Sequence, residues 1–104
     1  MKIETYDSKN PNDEVSFSID VVNNIDYPTE QVLSCVCTIR LKSGTDPSTD
    51  FSSMINGTAA VNGTSITQSV KGGLDKNYYY IDFFVTTTQQ KITFTLIIPV
   101  MIGA

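Results

Sequence analysis

The chain contains no histidine and no tryptophan, and its only cysteines are Cys35 and Cys37. Without histidine, neither a Ser-His-Asp nor a Cys-His nucleophile can be assembled from this sequence. The His-containing zinc motifs are excluded for the same reason. Two cysteines with no third soft ligand make neither a disulfide framework nor a tetrahedral site, and are read as reduced thiols. No apolar run approaches the roughly 20 residues of a membrane span. The first residues, Met1 to Asp7, are polar and mixed in charge, so no secretory signal is expected there and no membrane contact. Positive charge is also scarce. Seven Lys and Arg stand against eleven Asp and Glu, a net charge of −4. A nucleic-acid partner needs a basic footprint, and none is expected.

Helix formers are equally scarce: Ala, Leu and Glu together number ten, whereas Val, Ile, Thr, Tyr and Phe supply 43 of the 104 residues. Branched and aromatic side chains suit a pleated surface and lose rotamer freedom on a helix. The fold class expected is all-β. The length fits one domain able to bury its own core. Residues 1–12 read as an N-terminal arm and 13–104 as the domain.

Alternation places the strands. Val15, Phe17, Ile19 and Val21 share one face of the first strand, which ends at the turn residues Asn23 to Pro28. From Gln31 to Leu41, the residues Leu33, Cys35, Cys37, Ile39 and Leu41 share a face. Asn56-Gly57 and Asn62-Gly63 read as type I′ turns enclosing a short strand, Thr58 to Val61. Thr64 to Val70 alternates, and Gly72-Gly73 closes it. Tyr79, Ile81, Phe83 and Val85 face inward from the next strand. Gln89-Gln90-Lys91 then connects to a last strand carrying Ile92, Phe94, Leu96, Ile98 and Val100. About seven short strands at this spacing form a two-sheet sandwich. Its expected core is Val15, Phe17, Ile19, Leu33, Cys35, Cys37, Ile39, Ile81, Phe83, Val85, Phe94 and Leu96.

Candidate functional residues are few. Cys35-x-Cys37 places both thiols on one strand face with Cα atoms roughly 7 Å apart, beyond usual disulfide reach, so they read as core packing. The Asn-Gly-Thr sequences match glycosylation acceptors but are explained as turns. The acidic residues lack calcium-loop spacing, and no metal or cofactor is expected. Tyr79, just after a turn and before an inner strand, occupies the place of a tyrosine corner in a Greek-key sandwich. Tyr78, Tyr80 and Phe84 then share the outer face as a candidate interface. The long polar loop 43–53, with Asp46 and Asp50, and the apolar C-terminus, with Ile97, Met101 and Ile102, are further candidate contact regions.

Lys9-Asn10-Pro11-Asn12-Asp13-Glu14-Val15-Ser16-Phe17-Ser18-Ile19-Asp20, then Lys71-Gly72-Gly73, Tyr79, Ile81, Val85-Thr86-Thr87 and Ile92 to Val100, together resemble a family pattern. It is that of small Ig-like virion proteins of tailed bacteriophages, the fiber–tail adaptor or head–tail-region proteins. Val21 stands where that family commonly has Trp, and Gln89-Gln90 where its last hairpin has Gly. The resemblance implies an immunoglobulin-like antiparallel β-sandwich with no catalytic residues. It further implies a virion component made in the bacterial host cytoplasm and present in several copies. Its partners would be other phage structural proteins: tail, fiber, portal or head–tail connector, or capsid. Two other roles compete with an adaptor: a capsid decoration subunit, and a carbohydrate-binding or adhesin module.

Overall fold

Period-two alternation of apolar side chains builds two layers that can bury their apolar faces only against each other. The computed structural model describes residues 2–5, by their backbone, and 9–102. The strands are β1 (Lys2–Thr5), β2 (Val15–Asp20), β3 (Val32–Ser43), β4 (Ile55–Asn62), β5 (Ser65–Val70), β6 (Asn77–Thr87) and β7 (Lys91–Val100). A 3₁₀ turn, Ser52–Met54, precedes β4. One sheet has the order β1-β7-β6-β3 and the other β2-β5-β4. Pairing is antiparallel except between β1 and β7, which run parallel. The chain is thus an all-β sandwich.

The core lies between the sheets. Tyr79, Ile81, Phe83 and Val85 of β6 and Phe94, Leu96, Ile98 and Val100 of β7 meet Phe17 of β2 and Ile66 and Val70 of β5. Cys35, Cys37 and Ile39 close it on the β3 side, and Val15 and Ile19 pack partly buried against it. Met54, delivered by the 3₁₀ turn, also enters. Gly73 marks how closely the chain passes here. Its φ is +93°, and a Cβ would lie 3.0 Å from Val100 Cγ2 and 3.2 Å from Met54 Cε.

Three local expectations are corrected. Leu33 is 61 % exposed, not core. The β3–β6 register shifts between Val32 and Ser34, so Leu33 is the extra residue of a bulge and Val32 turns inward instead. Asn56-Gly57 is not a hairpin turn. It lies inside β4, where the pairing with β5 is irregular between Asn56 and Ala60 and Gly57 takes φ +82°. Asn62-Gly63 does sit at a hairpin, but its two loop residues are Gly63 and Thr64, and only Gly63 has positive φ. That is the II′ pattern, which puts Gly first, and not I′.

The expected arm is corrected too. Lys2–Thr5 pairs with Phe94–Ile97. Lys9 N donates to Pro99 O at 2.9 Å, Met101 N donates to Lys9 O at 2.8 Å, and the Lys9 side chain is buried. Lys2–Thr5 and Lys9 are therefore joined to the sandwich edge, because β7 offers them an unpaired row of backbone groups.

Candidate functional site

At one end of the sandwich the chain gathers Tyr79, loop 43–53 and the glycines after β5. Tyr79 is the second strong β-former of β6 and faces the core by alternation, so its hydroxyl reaches the end of the layer. It donates to Asp46 Oδ2 at 2.7 Å and accepts from Leu74 N at 2.9 Å. This backward bond to the chain five residues upstream is the geometry of a tyrosine corner. Phe51 stacks edge-on against the ring, centroids 5.8 Å apart. Burial pushes the Tyr79 phenol up to about 12, the Leu74 amide opposes that, and the Asp46 carboxylate adds to it.

Asp46, one of the candidate contact residues, is half-buried and committed to this corner. Its Oδ1 accepts from Ser48 N at 3.0 Å. Burial works against its charge, but the Ser48 amide and the Tyr79 hydroxyl hold its pKa below the usual aspartate range. Asp50 is exposed and accepts from Ser52 N at 2.9 Å, which starts the 3₁₀ turn and lowers its pKa. Between them opens a cleft of about 380 Å³ whose walls include Phe51, Met54, Gly73 and Leu74. Asn77 holds the loop from below. Its buried Oδ1 accepts from Thr45 N and Asp46 N at 2.7 and 2.9 Å. Gly44, at φ +134°, leaves room for it: a Cβ there would fall 2.0 Å from that oxygen.

The outer face of the four-stranded sheet carries the aromatic candidates. Tyr78 and Phe84 are 37 % and 45 % exposed. Tyr80 is not free between them, because the Arg40 guanidinium lies 4.2 Å over its ring. Arg40 also makes a bidentate pair with Asp82, at 2.6 and 3.1 Å, and Thr95 Oγ1 donates to Asp82 at 2.6 Å. Burial disfavours the Asp82 carboxylate, yet the Arg40 and Thr95 bonds and the Arg40 charge bring its pKa below the ordinary value. The expected aromatic stripe is thus interrupted by a cation bound to a carboxylate. Phe84 instead continues onto Val36, its cross-strand partner on β3, which is 65 % exposed.

The remaining candidates fall elsewhere. Ile97 is half-buried opposite Tyr80. Met101 is half-buried, and Ile102, 75 % exposed, donates its N–H to Asp75. Gly72 offers its carbonyl to Lys9 Nζ at 2.8 Å. Cys35 and Cys37 are free and buried, with their sulfurs 3.9 Å apart, far from the roughly 2.0 Å of a disulfide. One S–H···S contact joins them. That bond and burial push the Cys37 thiol up, and acceptance from Cys37 lowers Cys35.

The burial of two ionic residues, Lys9 and Glu30, carries no signal in the hydropathy alternation. Lys9 Nζ donates to the carbonyls of Asn10 and Gly72, and its desolvation lowers its pKa against the pull of Asp13. Glu30 is 1 % exposed. It accepts from Thr87 Oγ1, from Gln90 Nε2 and from Asp26 N, tying the turn before β3 to the β6–β7 hairpin. The Thr87 bond, then the Asp26 amide, hold its pKa down against burial, and Gln90 adds to them. A Lys or Glu within a polar segment reads as solvated surface, since alternation marks only the apolar residues.

No protein-family model, curated protein or solved structure matches the chain.

Proposed function

We propose that this chain is a non-enzymatic structural subunit of a tailed-phage virion, an adaptor joining tail, fiber or head–tail components, and that its sandwich is immunoglobulin-like. The strand order supports the second part. β2-β5-β4 and β3-β6-β7 correspond to the B-E-D and C-F-G strands of an Ig sandwich, with β1 added beside the last strand. One observation carries the first part. Five of the residues in the resemblance meet in one structural knot: Lys9 clamps Gly72, Gly73 packs on Val100 and Tyr79, and Tyr79 in turn holds the neighbouring Leu74. These residues spend their polar groups on holding the sandwich end together, which suits a scaffold whose work is done by its surface. The chain has no histidine to pair with a nucleophile, which fits a subunit without catalysis.

Capsid decoration is the alternative within structural roles, and a glycan-binding module the alternative outside them. Particle assembly without the chain separates the three. The adaptor reading expects heads and tails, or tails and fibers, to accumulate unjoined. Complete particles with fragile heads favour decoration. Complete, stable particles that adsorb poorly favour the glycan-binding module, and both of these outcomes overturn the adaptor.

A further inference from the structure

β3 is the edge of the four-stranded sheet, and among the described residues no strand pairs with its outer side. An edge offers a ready row of N–H and C=O groups, which proteins normally blunt with short strands, bulges or charges. β3 is twelve residues long, and its two irregularities sit at its ends, between Val32 and Ser34 and between Leu41 and Ser43. The stretch between them pairs regularly with β6 and carries one charge, Arg40. Its outward side chain at the middle is Val36, 65 % exposed and directly across from the exposed Phe84.

We propose that β3 pairs with β3 of a second copy, antiparallel, about a twofold axis at Val36, joining two four-stranded sheets into one. Three observations select this occupant. First, the charges of the segment are polarised: Asp26 and Glu30 precede the strand, and Arg40 and Lys42 end it. Antiparallel copies centred on Val36 keep the Arg40 and Lys42 ends of the two strands at opposite ends of the ladder. Parallel copies would stack Arg40 on Arg40 and Lys42 on Lys42, which repel. Second, the apolar surface closes on itself, because Phe84, Val36 and the same two residues of the second copy form one unbroken row across four strands. Third, a twofold contact requires a self-complementary surface, and a register with Val36 on the axis keeps both core faces on the same side of the joined sheet. A slip of one residue would turn one core outward.

A ladder of this length is smaller than a standard interface, so free copies associate weakly and several contacts in an assembly reinforce one another. The inference does not depend on the virion reading, and either can fail alone.

The test is sedimentation equilibrium of the full chain over roughly a hundredfold concentration range, paired with amide hydrogen exchange. The mass should rise from 11.4 kDa toward twice that value, with exchange of the Ser34–Thr38 amides slowing in step. Val36→Lys, at an exposed position, should keep the thermal midpoint and weaken association at least about tenfold. A monomer at every concentration overturns the pairing, as does a dimer that survives Val36→Lys or leaves β3 exchange unchanged. A monomer that still enters particles would overturn this inference and leave the adaptor reading standing.

Discussion

Tyr79 does two things with one hydroxyl. It satisfies a loop amide and holds a loop carboxylate, so its removal strands both partners at a buried corner. Tyr79→Phe should lower stability by about 1–3 kcal/mol, measured by denaturant unfolding, because the unpaired groups stay desolvated. The same residue sets an alkaline limit. Its phenol is raised in the folded state, so the unfolded chain loses that proton first as pH climbs. The stabilisation is complete below the ordinary tyrosine range near pH 10 and falls away as pH rises toward about 12. The Phe variant should lack that part of the decline. Glu30 works in the opposite direction. Its folded pKa is depressed, so its contribution is present above the ordinary glutamate range and is lost as pH falls through the folded value. Glu30→Ala should lower the midpoint at neutral pH and flatten its acid dependence. An unchanged acid profile would mean that the Thr87 and Gln90 bonds do not favour the charged form. In the core, Phe83 is fully buried, and Phe83→Ala should cost about 3–5 kcal/mol.

At the scale of the element, Lys2–Thr5 and Lys9 are part of the fold. β1 hydrogen-bonds to β7, and Lys9 is itself bonded to Gly72, Pro99 and Met101. Deleting residues 1–10 should therefore lower the thermal midpoint measurably, since a loss of about 1 kcal/mol already moves a domain of this size by roughly 4–8 °C. An unchanged midpoint would mean that the edge pairing adds nothing to stability. These elements also define what the sequence discloses. Strands whose alternation runs uninterrupted, such as β2, β6 and β7, can be read directly, because a half-buried sheet forces the pattern. Tyr79 is legible because a core-facing tyrosine after a turn has few places to put its hydroxyl. Leu33 is misread because a bulge inverts the face of every residue on one side of it, and no residue type announces the bulge. Gly57 is misread because Asn-Gly serves a bulge inside a strand as readily as a hairpin. The pairing of β1 and the burial of Lys9 and Glu30 do not show in the alternation because they depend on partners about 60 to 90 residues away in sequence, and a polar side chain acquires meaning only from what it meets.

At the scale of the whole molecule, the sandwich keeps its polar machinery for itself and presents surface. Among the described residues no buried side-chain nitrogen or oxygen lacks a partner, so the polar groups of the interior are already engaged. The exposed features are an apolar edge at Val36, Leu33 and Phe84, an open cleft beside loop 43–53, and Ile102 at the chain end. Several separated patches on one small body suit a subunit that touches more than one neighbour. A single concave pocket would suit a small ligand better. Quantitative mass spectrometry of purified particles, from cells that encode the chain, tests this account most directly. The account predicts peptides from the chain in the particle fraction, at a fixed small-integer ratio to the other structural proteins and resistant to washing with salt. Particles that are complete without it, with the chain left in the soluble fraction of the lysate, would contradict the account.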